Sequence, residues 1–177
     1  MKAPDVTEQK ALDLIRKFGL EAPPIPADEL AESLGAQLIY EPFDGDVSGL
    51  LMRDQGGVVI GVNARHHPNR QRFTLAHEIG HLQLHKTDSL FVDKQMRLEF
   101  RDKRAGMAIY RKEIQANRFA AELLMPRHVL NREVEKLLSH NSADSGSFVI
   151  ASLSKRFGVS HQAMQYRLTN LGYWAPL

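Results

Sequence analysis

The stretch RFTLAHEIGHLQLH, residues 72–85, places two histidines four residues apart and a glutamate directly after the first. Residues four apart share one face of an α-helix with their Cβ atoms roughly 6 Å apart, so His77 and His81 can bind one metal ion together. Glu78 points into the same cleft, slightly aside, where it can hold a metal-bound water without being a ligand. This H-E-x-x-H spacing predicts two zinc ligands and one general base.

The competing interpretation is an amphipathic core helix whose two histidines are satisfied by hydrogen bonds. Burying two imidazoles and a carboxylate in an apolar helix is costly unless a metal or strong hydrogen bonds compensate. The context therefore favours the metal. The apolar neighbours are Phe73, Leu75, Ala76, Ile79, Leu82 and Leu84.

A catalytic zinc site usually has three protein ligands and one open position. His85 is a poor third ligand, because eight residues of helix separate it from His77, about 12 Å along the axis. The segment KEIQANRFAAELLMP offers Glu113, and Asn117 follows four residues later on the same face, suited to accept the ring N–H of a ligand histidine. By spacing alone, Glu113 can equally be a solvated first-turn charge, and Glu122 is a rival ligand.

Composition limits the classes of function. The 177 residues are 43% hydrophobic and 25% charged, which predicts one domain, or one with a small appendage, and a real core. There is no cysteine, which excludes disulfides, thiol nucleophiles and thiolate metal sites and fits a cytoplasmic location. A net charge of +2 is too small to indicate nucleic-acid binding by itself. The N-terminus does not resemble a signal peptide, and no apolar run reaches the ~18 residues of a membrane span.

The pattern along the chain predicts an α+β fold with two N-terminal helices, a small antiparallel or mixed sheet and a helical C-terminal part. Predicted helices cover residues 7–19, 27–35, 113–126 and 126–138, besides the H-E-x-x-H helix and two short helices broken at Gly158. Predicted strands cover residues 36–40, 47–53 and 57–63, the last two forming a hairpin. The pattern weakens over residues 87–112, and residues 97–112 are predicted as a basic loop with room for one short strand. The proposed division is 1–138 for the main domain and 139–177 for a linker and helix-turn-helix-like segment packed on it.

Several blocks together resemble the ImmA/IrrE family of metallo-endopeptidases. The two signature blocks are RFTLAHEIGHLQLH and EIQANRFAAELLMP, preceded by PPIPADELAESLGA and the S-G-L-L strand starting at Ser48. SKRFGVSHQAMQYRLTNLGYW is similar to the family's C-terminal ending. Gln115 stands where many members carry a second glutamate, which leaves Glu113 as the acidic residue of the E-I-Q-A-N block.

The resemblance implies a thermolysin-like zincin core in which His77, His81 and Glu113 hold zinc, Glu78 is the base and Asn117 supports a ligand. Mn²⁺ or Fe²⁺ can also occupy such a site. Members cleave helix-turn-helix repressors, so the expected partner is a repressor on a separate chain, regulating a mobile element or stress response. We expect the chain to be of the short kind, without the long C-terminal extension of some radiation-response members.

The group that stabilises the oxyanion is not identified by the sequence. Tyr110, Arg111 and His128 are candidates because they lie near the second signature helix. The substrate is expected to extend along a sheet edge, and GVVIGVN is the predicted edge strand, since it directly precedes the zinc helix.

Two other interpretations stay open. One is a DNA-binding or repressor-binding regulatory protein whose metal is structural, with Gln162, Gln165 and Arg167 on the second helix of a helix-turn-helix; direct nucleic-acid binding is the less favoured of these. The other concerns the basic stretch from Arg97 to Lys112, which is either a solvated loop or a docking surface for an acidic part of the partner.

Overall fold

A computed structural model describes residues 4–85, 90–94, 103–140 and 146–173 of the chain. Within these ranges it forms seven helices and four strands. The helices are α1 Val6–Phe18, α2 Ala27–Ser33, α3 Pro68–Leu84, α4 Lys103–Leu124, α5 Arg127–His140, α6 Gly146–Phe157 and α7 His161–Asn170. The strands are β1 Ala36–Glu41, β2 Val47–Asp54, β3 Gly57–Asn63 and β4 Leu90–Lys94.

The strands form one mixed sheet in the order β1-β3-β2-β4. β2 and β3 are antiparallel, as the predicted hairpin requires, while β1 runs parallel to β3 on its other side. β3 is therefore internal, and its predicted role as the edge strand is wrong. The sequence itself indicates an internal strand here, because a nearly continuous apolar run such as GVVIGVN is typical of strands buried on both faces.

α3 packs against β2 and β3, and this packing places the predicted site between sheet and helices. Alternate residues of these strands point to the helix side, and Leu51, Ile60 and Val62 are fully buried there. On α3, Leu75 and Ile79 are fully buried in the same core. The apolar side chains at every second position of the strands thus pack against the apolar face of α3.

The helix that carries Glu113 is longer than predicted. It begins at Lys103, so the loop expected over residues 97–112 is wrong from residue 103 onward. The strand β4, Leu90–Lys94, lies before that stretch, where the sequence did not predict a strand. Residues 103–112 contain no proline and one glycine, a composition a helix tolerates at a cost of about 1 kcal/mol. The many basic residues of this segment suggest a loop, but they do not prevent a helix. Residues 97–102 of the basic stretch lie outside the described ranges.

α6 and α7 are joined by the predicted break, with Gly158 in the left-handed conformation at φ 64° and the Ser160 hydroxyl accepting from the Ala163 amide at 3.1 Å. Apolar residues of both helices, among them Phe157 and Leu168, belong to the same core as α3. Arg72 of α3 donates to the Gly158 carbonyl at 3.1 Å, which ties this turn to the H-E-x-x-H helix. The division at residue 138 stays a prediction.

Arg167 does not lie on an outward face of α7. Its side chain is 5% exposed and forms an ion pair with Glu122 of α4. A buried, paired guanidinium is not available to contact DNA bases, so the predicted placement of Arg167 on a recognition surface is wrong. Gln162 is exposed and Gln165 is half-buried.

Candidate metal centre

α3 is fixed at both ends by local contacts. His67 caps its first turn and Pro68 occupies the first helical position, where a missing N–H does no harm. At the other end, the Arg53 guanidinium of β2 donates to the backbone oxygens of His81 at 3.1 Å and His85 at 2.9 Å. A cation at a helix C-terminus also matches the helix dipole. β2 therefore holds the last turn of the helix that carries the motif.

The structure brings His77, His81 and Glu113 together. The Nε2 atoms of the two histidines are 3.0 Å apart. One carboxylate oxygen of Glu113 lies 3.2 Å from the Nε2 atom of His77, and the other lies 3.3 Å from that of His81. One ligand atom from each of the three residues lies within 4.8 Å of the others, and both imidazoles are buried. This is the set that the sequence predicted, and its role as a ligand set is a proposal.

Gly80 permits the close approach of α3 and α4. A Cβ atom at Gly80 would lie 3.1 Å from the Ala116 Cα atom and 3.2 Å from its carbonyl oxygen, tighter than ordinary packing. Glu113 is three residues before Ala116, about one turn away, and Gly80 directly precedes His81. The small residue in the motif thus lets the carboxylate of one helix reach the imidazoles of the other.

The hydrogen bond of His77 to Asn117 leaves the Nε2 atom of its imidazole available to bind a metal ion. The Nδ1 atom of His77 lies 3.0 Å from the Asn117 Oδ1 atom. Since an amide oxygen only accepts, His77 Nδ1 carries the proton and donates, and the lone pair of neutral imidazole is on Nε2, the atom that faces Glu113. Asn117 thus occupies the predicted supporting position beside a candidate ligand.

The negative charge of the Glu113 carboxylate also favours binding of a cation. Burial raises the pKa of Glu113, but when the imidazoles of His77 and His81 are protonated, their hydrogen bonds and positive charge outweigh burial and lower this pKa to about 2. A divalent ion would supply the positive charge that protonated imidazoles supply in its absence. Two imidazole nitrogens and one carboxylate fit Zn²⁺ well, and such a set can also accept Mn²⁺ or Fe²⁺.

Glu78 lies beside the ligand cluster but outside it, fully buried on α3. The position of a Cβ atom at Gly49 would be 2.9 Å from the Glu78 Oε1 atom and 2.5 Å from the Thr74 Cγ2 atom. Any larger residue would collide with both side chains, so Gly49 makes room for Glu78. This role of Gly49 is not among the predictions from the sequence, although a glycine inside a strand pattern often marks such a close approach.

The remaining candidates are spread around the cluster. The Nε2 atom of His85 lies 3.4 Å from the Lys112 carbonyl oxygen, and His85 is not part of the ligand group, as predicted. Tyr110 and Arg111 are exposed on α4 within one turn of Glu113, and His128 is exposed on α5. Their assignment to the oxyanion stays a prediction.

Glu122, the rival ligand, belongs to a different cluster. It is fully buried, pairs with Arg167 and accepts a hydrogen bond from the Arg127 backbone amide at 2.9 Å. Glu8 of α1 completes this group, 3.5 Å from Arg167 and 3.3 Å from Arg127. Fixed guanidinium groups satisfy these carboxylates, so Glu122 as a metal ligand is wrong.

A pair of helices that present two imidazoles and a carboxylate to one point, with a buried glutamate beside them, defines a candidate metallopeptidase centre. The chain belongs to the peptidase M78 family, the IrrE N-terminal-like domain, whose sequence model matches residues 31–169. The resemblance to the ImmA/IrrE family is thereby confirmed.

Two curated relatives are similar over most of the matched region. The radiation response metalloprotease IrrE of Deinococcus radiodurans is 37% identical over 111 residues, which cover 63% of this chain and 30% of that protein. The uncharacterized immunity region protein 2 of Bacillus phage phi105 is 27% identical over 119 residues, covering 67% of this chain and 68% of the phage protein. The aligned region is thus less than a third of the length of IrrE.

A solved structure titled Mycobacterium tuberculosis transcriptional regulator has the same fold, with a TM-score of 0.61. At 18% identity, with 94% of this chain and 47% of that chain covered, the likeness concerns the fold alone. Among the described residues, none of the helices has the length and apolar character needed to cross a membrane.

Proposed function

We propose that the protein is a zinc-dependent endopeptidase with a thermolysin-like zincin core that cleaves a partner helix-turn-helix repressor. The observation that carries the proposal is the convergence of His77, His81 and Glu113 beside the buried Glu78. Two helices contribute to this arrangement, and each side chain is held by packing or hydrogen bonds. The site therefore combines a ligand set for a cation with a separate acid or base.

His77, His81 and Glu113 would hold the ion. When bound, Zn²⁺ polarises a carbonyl oxygen and lowers the pKa of water toward ~7. Asn117 keeps the lone pair of His77 on Nε2, and Arg53 fixes the turn that carries His81. These contacts keep the ligands in place before an ion arrives.

Glu78 would do the proton transfers. It takes a proton from water, the water oxygen adds to the peptide carbonyl carbon, and the C–N bond breaks. The proton on Glu78 then passes to the leaving nitrogen, which gives one carboxyl group and one amine. Burial of Glu78 against the β2 backbone at Gly49 restricts its motion, which suits a group that must return to one position in both steps.

A regulatory role is supported by the names of two relatives. One is named a radiation response metalloprotease and another an immunity region protein of a phage. Both names concern regulated responses rather than nutrient digestion. We infer a regulatory protease of a mobile element or stress response in the cytoplasm, with the repressor on a separate chain.

The alternative function is a regulator that binds a repressor or DNA and uses its metal only for structure. The burial of Arg167 removes one of the three predicted base contacts and weakens the DNA-binding form. Repressor binding without cleavage remains a distinct outcome of the test below.

The test compares the zinc-loaded protein with its Glu78→Gln variant, mixed with candidate helix-turn-helix repressors, beginning with any encoded beside it. We expect Glu78→Gln to lower the cleavage rate by about 10²–10⁴-fold, because it removes the proton acceptor. Zinc content by elemental analysis should not change. The readout is intact-mass spectrometry of the repressor over time.

Glu32→Gln is the matched control, since Glu32 is exposed on α2. It should cleave at the unmodified rate. If the Glu78→Gln protein inactivates the repressor as fast as the unmodified protein, catalysis is wrong and regulation by binding is correct.

A further inference from the structure

β2 borders Glu78 at Gly49, and β4 occupies the side of β2 that faces away from β3. We propose that β4 lies where an extended substrate must lie, so that the enzyme is held inactive by its own strand. This inference rests on the proposed function, because it concerns regulation of the same site. It also replaces β3 with β2 as the strand that a substrate would pair with.

The short distance between Gly49 and Glu78 determines how far from β2 a scissile bond can lie. A Cβ atom at Gly49 would lie only 2.9 Å from the Glu78 Oε1 atom, so the β2 backbone directly borders the general base. A water held by Glu78 lies roughly 3 Å away, and a carbonyl carbon that it attacks lies roughly 3 Å further. The scissile bond must therefore lie within roughly 6 Å of the Glu78 carboxylate.

Only one strand position satisfies this distance. Neighbouring strands are about 4.8 Å apart, so a peptide paired with β2 can reach the site. A peptide added to the outer side of β4 would be two spacings, about 9.6 Å, from β2. A productive substrate must then displace β4 rather than extend the sheet beyond it.

The register places β4 directly across from the residue that borders the base. Gly49 pairs with Asp93, Leu50 with Val92 and Leu51 with Phe91, all antiparallel. A shift in register between Val47 and Gly49 interrupts the pairing at the same point. Such irregularities are common beside active sites, where they end or redirect the pairing.

β4 is suited to reversible release. It has five residues, and two of its side chains, Leu90 and Val92, are 58% and 39% exposed. On the face that carries these two residues the side chains add little burial, and the main-chain hydrogen bonds that pair β4 with β2 can be replaced one for one by a substrate strand. β4 also lies in the connection between α3 and α4, the two helices that carry the candidate ligands.

The first test locks β4 in place. Leu50 and Val92 are directly opposite, and the chain has no cysteine of its own, so the double variant Leu50→Cys/Val92→Cys can form only the intended disulfide within one chain. The opposed pair Met52→Cys/Leu90→Cys is a second lock. Mass spectrometry confirms the crosslink, and the matched controls are the four single-cysteine variants.

The second test releases β4. In an antiparallel pair, one of two neighbouring amides faces the partner strand, so either Phe91→Pro or Val92→Pro removes a hydrogen bond to β2. Val92→Thr is the matched control, because it keeps the amide and the β-branched shape. Far-UV circular dichroism checks that each variant is folded.

Two readouts separate the inference from the proposed function. The zinc-loaded variants are mixed with β-casein, an unfolded protein, and cleavage is followed by gel. In the Glu78→Gln background, binding of a fluorescent peptide DSLFVDKQM, the sequence around β4, is followed by polarisation. Binding does not depend on catalysis.

We expect at least one proline variant to cleave casein at least 10-fold faster than the unmodified protein and to bind the peptide more tightly. The oxidised lock should neither cleave nor bind, and reduction should return it to the unmodified level. If the oxidised lock binds and cleaves like its reduced form, substrate adds elsewhere and the inference is overturned. If no variant cleaves, binding decides: peptide bound by the released form but not by the locked form supports the inference while the endopeptidase proposal fails, and equal binding overturns the inference.

Discussion

Glu113 and Glu122 are carboxylates on the same helix, α4, at positions that the sequence alone left in competition as metal ligands. Glu113 faces two imidazole nitrogens, at 3.2 and 3.3 Å, whereas Glu122 faces the Arg167 guanidinium and a backbone amide. A guanidinium brings a permanent charge and satisfies its partner, while neutral imidazoles offer lone pairs. The same residue type therefore occupies a candidate cation site in the middle of the helix and a structural cluster near its C-terminal end.

The largest expected effect concerns the structural cluster of Glu122, Arg167 and Glu8. Glu122→Leu leaves Arg167 buried with the more distant Glu8 as its charged partner and the Met125 carbonyl oxygen as an acceptor. We expect it to lower the free energy of unfolding by about 3–5 kcal/mol. Urea denaturation monitored by circular dichroism measures this. The double variant Glu122→Leu/Arg167→Met, which removes both charges, should recover most of the loss. A cost below about 1 kcal/mol for the single variant would contradict the structural role.

The second effect concerns the candidate metal site. Glu113→Ala removes one of three proposed ligands, and we expect zinc affinity to fall by more than the roughly 100-fold that loss of a supporting contact can cost. Competition with a chromophoric chelator measures the affinity, and circular dichroism confirms folding. In the Glu122→Leu protein, zinc affinity of the folded molecules should be unchanged. Equal zinc affinity in the Glu113→Ala and unmodified proteins would remove Glu113 from the ligand set.

A smaller effect tests the contact that orients one ligand. Asn117→Ala removes the acceptor from His77 Nδ1, and we expect zinc affinity to fall about 10–100-fold, because the imidazole loses its fixed tautomer and orientation. Asn117→Asp keeps an acceptor oxygen and should bind zinc at least ten times more tightly than Asn117→Ala. The chelator competition above gives both affinities. Equal zinc affinity in the two variants would show that Asn117 does not orient His77.

The smallest effect concerns the contact between α1 and the middle of α4. Asp5 caps α1 and also pairs with Arg118 of α4 at 2.8 Å. Burial raises the pKa of Asp5, but hydrogen bonds from backbone amides and from Arg118 outweigh it and lower this pKa below 3.8. We expect Asp5→Ala to cost about 0.5–2 kcal/mol of the free energy of unfolding at pH 7.

The pH dependence of that cost follows from the direction of the shift. A lowered pKa in the folded state means that the stabilisation by the Asp5 carboxylate is complete above pH 3.8 and is lost as the pH falls through the folded-state value. Urea denaturation at several pH values should therefore show the two proteins converging in strongly acidic solution. A difference that grows as the pH falls would contradict the assignment.

The sequence predicted the helix of His77, Glu78 and His81, the hairpin of β2 and β3, and the break at Gly158, because each is set by residues close together in the chain. It predicted Glu113 and Asn117 as partners of that helix, although spacing alone could not exclude Glu122. The prediction was wrong at the start of α4, because a densely charged segment was interpreted as a loop although it is helical. It was also wrong at Arg167, which the helix-turn-helix pattern placed on an exposed surface.

The H-E-x-x-H spacing by itself determined that two imidazoles share one helix face with a glutamate beside them, since the helical period is local and fixed. Only the tertiary structure decided which carboxylate of α4 meets those imidazoles, that β3 is internal, and that β4 covers the β2 edge beside Glu78. Those outcomes depend on pairings between distant parts of the chain. Such pairings are selected by total burial and hydrogen bonding, which no single segment encodes.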